Sequence, residues 1–384
     1  MNRRAFIRMI GGGIIVAAGT GTGTAGCSSG VPSEAIAPWH GPSADADVRR
    51  WILGHAILAP HSHNLQSWLV DLRVPDEILL RVDLTRLLPQ TDPFSRQIIM
   101  SHGTFLEMLD LAARERGLRA DIMLFPDGEF GADAPDERPV ARIRLTPDET
   151  VASDPLFTQI LARRTNRSIY SRERPVPEAA WQAMAAAAGT SLRFGHLQDD
   201  RDLLSQHRTI ALDAWRIELT TPDAILESYK VLRVGAGEIA QHRDGLSITD
   251  PKVVWLDRLG LFDRTAAPGP EDYAVTSQVE DFRTKLESTP AFMWMITAGN
   301  DRVTQIDAGR AYARVQLAAT AHGVAMQPLQ QALQEYPEQA GPYARIRDLL
   351  GATSADQTVQ MWARVGFAPP VHPAPRRGVD ALIV

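Results

Sequence analysis

Residues 103–117, GTFLEMLDLAARERG, are echoed by residues 309–323, GRAYARVQLAATAHG. Gly103, Leu111-Ala112-Ala113 and Gly117 recur as Gly309, Leu317-Ala318-Ala319 and Gly323, at identical spacing and an offset of 206 residues. Phe105, Met108, Leu109 and Ala112 fall at i, i+3, i+4 and i+7, and Tyr312, Val315, Gln316 and Ala319 repeat the stripe less cleanly. Each copy therefore reads as an amphipathic helix ended by Gly and followed by a short apolar segment. A second pair lies upstream: Trp51 to Leu72 (helix, loop, then Ser67-Trp68-Leu69-Val70) parallels Trp181 to Gln198 (helix, Gly189, then Leu192-Arg193-Phe194). Either Leu-Ala-Ala before Gly recurs by coincidence, or an α+β unit has been duplicated or fused. Two independent matches favour duplication, with a mixed or antiparallel sheet in each half wrapped by helices.

Working outward, the boundary between halves falls near residues 146–154, after the Pro- and acid-rich 125–138 loop and a strand at 140–145. This gives a first half over 46–150 and a second over 151–384. Residues 222–290 have no counterpart in the first half, and Trp255, Leu256, Leu259, Leu261 and Phe262 are expected to anchor them as an ordered lid.

The N-terminus carries three consecutive signals: Asn2-Arg3-Arg4-Ala5-Phe6-Ile7-Arg8, an apolar Met9–Ala18 stretch, and Thr24-Ala25-Gly26-Cys27. They read as a twin-arginine lipoprotein signal peptide over 1–26, with lipidation at Cys27 and a Pro-, Gly- and Ser-rich tether over 27–45. The apolar run is far shorter than the roughly 20 residues of a spanning helix. The expectation is export by the twin-arginine route and lipid anchoring at the periplasmic side of a membrane, a route often taken by proteins that fold around a cofactor first. Cys27 is the only cysteine, so disulfides, cysteine-zinc sites and a cysteine nucleophile are excluded if it carries lipid. Cleavage before Cys27 would remove Arg3, Arg4 and Arg8 and move the net charge from −6 to −9, which argues against nucleic acid as a partner.

Two polar clusters could carry chemistry. Pro60-His61-Ser62-His63-Asn64-Leu65-Gln66-Ser67-Trp68 leads from a helix into a strand. Its amides, Asn64 and Gln66, can match the edge of a planar heterocycle; equally, Ser62 and Asn64 can cap backbone groups in a turn. His61 and His63, one residue apart and with no carboxylate-rich neighbour, make only a weak case for zinc or iron, and no metal is expected. Arg163-Arg164-Thr165-Asn166-Arg167-Ser168 offers guanidinium forks and hydroxyl groups suited to a phosphate, or a solvated charge run. Arg376-Arg377 adds late cationic reach.

Together these segments resemble the nitroreductase family of FMN enzymes, and within it a long, single-chain Acg-like subgroup. Arg163-Arg164-Thr165-Asn166-Arg167 is similar to the family's Arg-Arg-Ser-x-Arg phosphate-binding opening. Residues 60–68 look like its Pro-Ser-Ser-x-Asn-x-Gln-Pro-Trp loop, Pro328-Leu329-Gln330-Gln331 is similar to its Pro-Ile-Glu-Gly loop beside flavin N5, and Arg376 and Arg377 match its late basic residues. Each motif occurs once, with the Asn loop in the first half and the phosphate motif opening the second. The resemblance thus implies an internal pseudo-dimer with one composite FMN site, working as a pseudo-dimeric monomer or a dimer of it. Departures stand at Gln331 for Gly, His61 for Ser and Ser67 for Pro. The implied activity is hydride transfer through the flavin to a nitro, quinone or activated alkene acceptor, with no protein acid or base needed for the hydride itself. A non-catalytic flavin-storing lipoprotein and a cofactor-free solute-binding lipoprotein are the alternatives.

Overall fold

The computed structural model describes residues 30–44 and 46–384, so the signal peptide and Cys27 lie outside the described residues. The chain is α+β. After a short turn of helix α1 (Ser33–Ile36), the first half runs α2 (Val48–Ala56), β1 (Trp68–Asp71), β2 (Glu77–Val82), α3 (Arg96–Glu115), β3 (Leu118–Leu124) and β4 (Ala141–Pro147). The second opens with α4 (Glu178–Ala188) and β5 (Arg193–Leu197) and makes a long excursion. This contains α5 (Arg201–Thr220), α6 (Pro222–Lys230), β6 (Leu232–Val234), α7 (Gly235–His242), β7 (Leu246–Ile248), α8 (Pro251–Arg258) and α9 (Tyr273–Glu287). It closes with β8 (Ala291–Ala298), α10 (Arg302–Ala321), β9 (Ala325–Pro328), α11 (Ala340–Leu349) and β10 (Gln357–Gly366).

The two main sheets are antiparallel and share one topology, β1-β2-β4-β3 and β5-β8-β10-β9. The third is a two-stranded parallel pair, β6 with β7. Helices α3 and α10 both hold 20 residues and pack on each other at the repeated glycines. A Cβ on Gly103 would stand 2.0 Å from the Ile306 carbonyl oxygen, and one on Gly309 would stand 1.9 Å from that of Met100. Ile306 is Met100 shifted by the same 206 residues, so the contact is reciprocal in the way a two-fold axis requires. Only glycine permits this backbone approach.

The first residues of these helices obey the same relation. Arg96 is fully buried and reaches Glu335, the Leu333 carbonyl and Gln360 of the second half. Arg302 reaches the carbonyls of Phe94, Gly131 and Ala132 of the first half. Each arginine thus straps its own helix to the connection between the last two strands of the opposite half.

The halves differ in what covers them. β4 alternates buried and exposed residues and β3 half-buried and exposed ones, the pattern of a sheet with one wet face, whereas β10 is buried almost throughout. Met293, Met295 and Ala363 of the second sheet pack toward α10 and α4, while Phe292, Ile296 and Trp362 pack toward α5, α9 and the excursion. The unmatched material therefore begins at Arg201, ahead of the expected 222, and much of it is a packed layer. Of the expected anchors Leu256 is buried, but Trp255 and Leu259 are 58% and 50% exposed, because α8 turns Val253 and Leu256 inward. The expected tether is also partly structured: Ala35 and Trp39 are buried within α1 and the 3-10 turn Ala37–His40.

The C-terminal tail leaves the second half and lies along the first. The Arg376 amide donates to the Ala35 carbonyl, and Val70 of β1 exchanges backbone hydrogen bonds with Leu382 and Val384.

Candidate functional site

Residues 61–67 adopt a conformation that side chains rarely accept. His63, Asn64 and Gln66 have φ of 48°, 54° and 55°. Left-handed backbone at non-glycine residues is held only where surroundings over-determine it, and it concentrates at functional sites. The surroundings here come from the whole molecule. Thr104 of α3 donates to the Pro60 carbonyl at 2.7 Å, and the Ser62 amide donates to Ser101 Oγ at 3.1 Å. His61 lies 2.8 Å from the Ser62 carbonyl through Nδ1, and its Nε2 meets Ser67 Oγ at 2.7 Å and the Ser67 amide at 3.1 Å. Burial, reinforced by Arg376 and Arg377, holds this histidine well below its usual pKa, which fits a neutral ring donating from Nδ1 and accepting at Nε2. His61 and Ser67, the two departures from the resembled loop, are thus partners of each other.

The amides do not present a free edge. Asn64 Nδ2 donates to the Gly245 and Pro375 carbonyls at 3.3 and 3.1 Å, and its Oδ1 accepts from Arg376. Gln66 is fully buried; its Nε2 donates to Asn64 and Arg243 carbonyls and its Oε1 accepts from the Arg377 amide at 2.9 Å. Gln66 and Arg377 thus form a clasp joining loop, tail and excursion. That excursion is latched by more than these bonds. Asp244, 1% exposed, ion-pairs with Arg86 and with Arg233 at 2.8 Å. Glu227 of α6 accepts from the amides of Gln90 and Thr91, both at 2.9 Å, and Ser228 lies 3.4 Å from His63 Nε2.

Arginines gather beside the loop. Arg163 donates to Gln316 Oε1 at 3.1 Å and to the Leu58 carbonyl at 2.9 Å. Arg376 donates to the carbonyls of Leu58 and Ala59 just past α2, where the helix dipole favours cations. Arg164 bonds only nearby carbonyls, and Arg167 and Thr165 have no side-chain hydrogen bond among the described residues. No carboxylate lies within ion-pair distance of Arg163, Arg164, Arg167 or Arg376 among the described residues. Burial lowers the pKa of all four, that of Arg163 to about 10, and the mutual repulsion of Arg163, Arg164 and Arg376 adds to this. Around them Arg163 Nε, Arg376 Nε, Gln316 Nε2 and the Tyr312 hydroxyl are buried without a partner. Uncompensated guanidinium groups with orphaned donors are chemically suited to a multiply charged anion.

The Pro328–Gln331 stretch behaves differently. Gln330 sends both ends of its amide to β10, to the Gln360 carbonyl and the Trp362 amide, and buried Leu329 donates to the Trp362 carbonyl. Both make contacts to the sheet edge. Half-buried Pro328 ends β9, and Gln331 sits beside Glu218. Glu218 is buried with Oε2 unpartnered, and desolvation raises its pKa to about 7. Sequence reasoning missed Trp39, Tyr312, Gln316, Glu218 and the Arg243–Gly245 turn. A tryptophan inside an otherwise small-residue tether was the one legible signal among them.

A protein of Mycobacterium tuberculosis with the provisional name NAD(P)H nitroreductase, found in strains CDC 1551 and H37Rv, aligns over 354 residues at 29% identity. This chain is similar to a nitroreductase. The alignment covers 88% of this chain and 92% of the relative, so the likeness spans both halves and the excursion. No family model matches the chain. Among solved structures, an FMN-dependent nitroreductase of Mycobacterium smegmatis in complex with NADPH is 20% identical, with a TM-score of 0.36 over 58% of this chain and 94% of that one. A nitroreductase of Bacteroides fragilis with bound FMN is 14% identical, with a TM-score of 0.32 over 59% and 97% of the two chains.

Proposed function

We propose that this chain is an FMN-dependent oxidoreductase of the nitroreductase kind, holding one flavin where the two halves, the tail and the excursion meet. The observation that carries the reading is the uncompensated arginine cluster beside a strained amide loop. The residues present fit the group: its phosphate matches the donors of Arg163, Arg164, Thr165, Arg167 and Arg376, and the orphaned nitrogen atoms and Tyr312 hydroxyl need such a partner. Bound FMN would supply two-electron hydride transfer from a reduced donor to a nitro, quinone or activated alkene acceptor. The protein's part is to bind and exclude. Arg163 and Arg376 fix the phosphate against the carbonyls that end α2, the loop bearing Ser62 and Asn64 borders the site, and α6 with the Arg243–Gly245 turn shields it from water. Export through the twin-arginine route and a lipid anchor at Cys27 are part of the proposal. They fit a protein that acquires its cofactor before crossing a membrane.

The test is the visible spectrum of the purified chain, followed by NADPH under anaerobic conditions. A yellow protein that bleaches supports the oxidoreductase. A colourless protein that takes up no FMN refutes the flavin reading. The latch of Asp244 and the clasp of Gln66 favour a second reading, a flavin-storing lipoprotein with a closed lid. Yellow protein that neither bleaches with NADPH nor, once reduced by dithionite, passes electrons to an added quinone decides for it.

A further inference from the structure

Trp39 stands at the centre of the arginine cluster. Its ring centroid lies 4.2 Å from the guanidinium carbon of Arg164, 5.2 Å from that of Arg376 and 5.4 Å from that of Arg163. The ring is buried at 5% exposure, and Nε1 donates to the Ala374 carbonyl at 2.8 Å, just before Pro375-Arg376 of the tail. The same N-terminal strap receives the Arg376 amide at the Ala35 carbonyl, 2.8 Å away. Three cations from two distant parts of the chain thus converge on one aromatic ring supplied by a third.

An aromatic face attracts guanidinium groups without neutralising them. A carboxylate in the same place would compete with any incoming anion. A solvated space would let the side chains disperse and would screen their pull. A buried tryptophan holds the three forks together, keeps water away and leaves their charge and the unpartnered Nε groups of Arg163 and Arg376 for a ligand, and such preorganisation converts charge into affinity. We infer that Trp39, carried by the strap 33–41, is a positioning residue of the anion site. The strap completes the phosphate cradle, so that a flavin bearing a phosphate is bound through it and riboflavin is not. The inference rests on the flavin reading above and deepens it.

The test uses the full chain with Trp39→Leu, which keeps an apolar side chain, and Trp39→Phe, which keeps an aromatic face. Dissociation constants for FMN and riboflavin are read by flavin fluorescence quenching, with ligand-free thermal unfolding as the folding control. Trp39→Leu is expected to weaken FMN on the order of tenfold, the scale of losing several desolvated cation–π contacts, while riboflavin changes less than twofold. Trp39→Phe is expected to lie between it and the unaltered chain. Equal weakening of both flavins, or FMN affinity kept within twofold by Trp39→Leu, overturns the inference. An unaltered chain that binds neither flavin overturns the flavin reading itself. Hydrogen exchange on the unaltered chain gives an answer independent of any variant's folding: amides of 33–41 should slow with FMN and not with riboflavin, and an unchanged strap overturns the inference.

Discussion

The crossing of α3 and α10 allows a stability test worked from distances. Alanine at position 103 would place its Cβ 2.0 Å from the Ile306 carbonyl oxygen, against ordinary contact from 3.4 Å, so the helices must separate by roughly 1.4 Å. The obstructing atom is backbone in a helix and cannot swing aside as a side chain could. Overpacking of this kind costs about 1–3 kcal/mol, and the rigid obstacle puts Gly103→Ala near the top of that range. Helix propensity returns about 1 kcal/mol for replacing a mid-helix glycine, leaving a net loss of about 2 kcal/mol. Gly309→Ala meets the Met100 carbonyl at 1.9 Å and should lose the same amount. Because one separation relieves both clashes while each alanine returns its own propensity term, the double variant should lose about 1 kcal/mol rather than 4, a coupling of about 3 kcal/mol. Gly341→Ala serves as the control, since it sits in α11 and an added Cβ there would meet no atom within 4 Å. Urea unfolding followed by tryptophan fluorescence and circular dichroism measures all four. Single variants within about 0.5 kcal/mol of the parent, or strict additivity, would refute the two-fold crossing as the joint between halves.

Three further outcomes follow from the site. FMN at 100 times its dissociation constant should add about 2.7 kcal/mol and raise the melting temperature by roughly 3–4 °C for a chain of this size, and no shift in differential scanning fluorimetry would refute binding. Asp244→Asn removes the buried counter-charge of Arg86 and Arg233; allowing for the partial exposure of Arg86, the latch should lose about 2 kcal/mol, and limited proteolysis within residues 222–290 should quicken about 30-fold. A change below threefold would show that the latch lies elsewhere. Glu218 binds its proton more tightly folded, to about pH 7, than unfolded, so between its ordinary pKa and about 7 the folded state holds the extra proton and stability falls as pH rises. Glu218→Gln should therefore flatten that decline, by up to about 1.4 kcal/mol per pH unit, and leave stability near pH 4 unchanged; parallel profiles for variant and parent from pH 4 to 8 would refute it.

Much of the scaffold could be read locally. The Gly to Gly spacing and the 3.6-residue stripes located α3 and α10, since a buried helix writes its period into the chain. The polar loop at 60–68 and the arginines at 163–167 and 376–377 were visible by composition, because guanidinium groups and amides cluster in sequence before they cluster in space. Their roles were not legible. Asn64 and Gln66 look equally suited to a ligand edge or a backbone clasp, and only the tail and the Arg243–Gly245 turn, more than 170 residues away, decided that Gln66 is a clasp. Trp255 and Leu259 had the apolar character of anchors, but which face of α8 turns inward depends on its neighbours.

The sequence by itself determined the α+β repeat with its recurring glycines and the residue types able to grip a phosphate, because these rest on periodicity, backbone freedom and side-chain chemistry carried within a few residues. The tertiary structure alone decided that Arg163, Arg164 and Arg376 share the face of Trp39 without a carboxylate among them, that the excursion is a layer latched at Asp244, and that Arg96 and Arg302 cross between halves. Those outcomes turn on desolvation and on contacts between segments up to hundreds of residues apart, and the free energy of such contacts has no local signature in the chain.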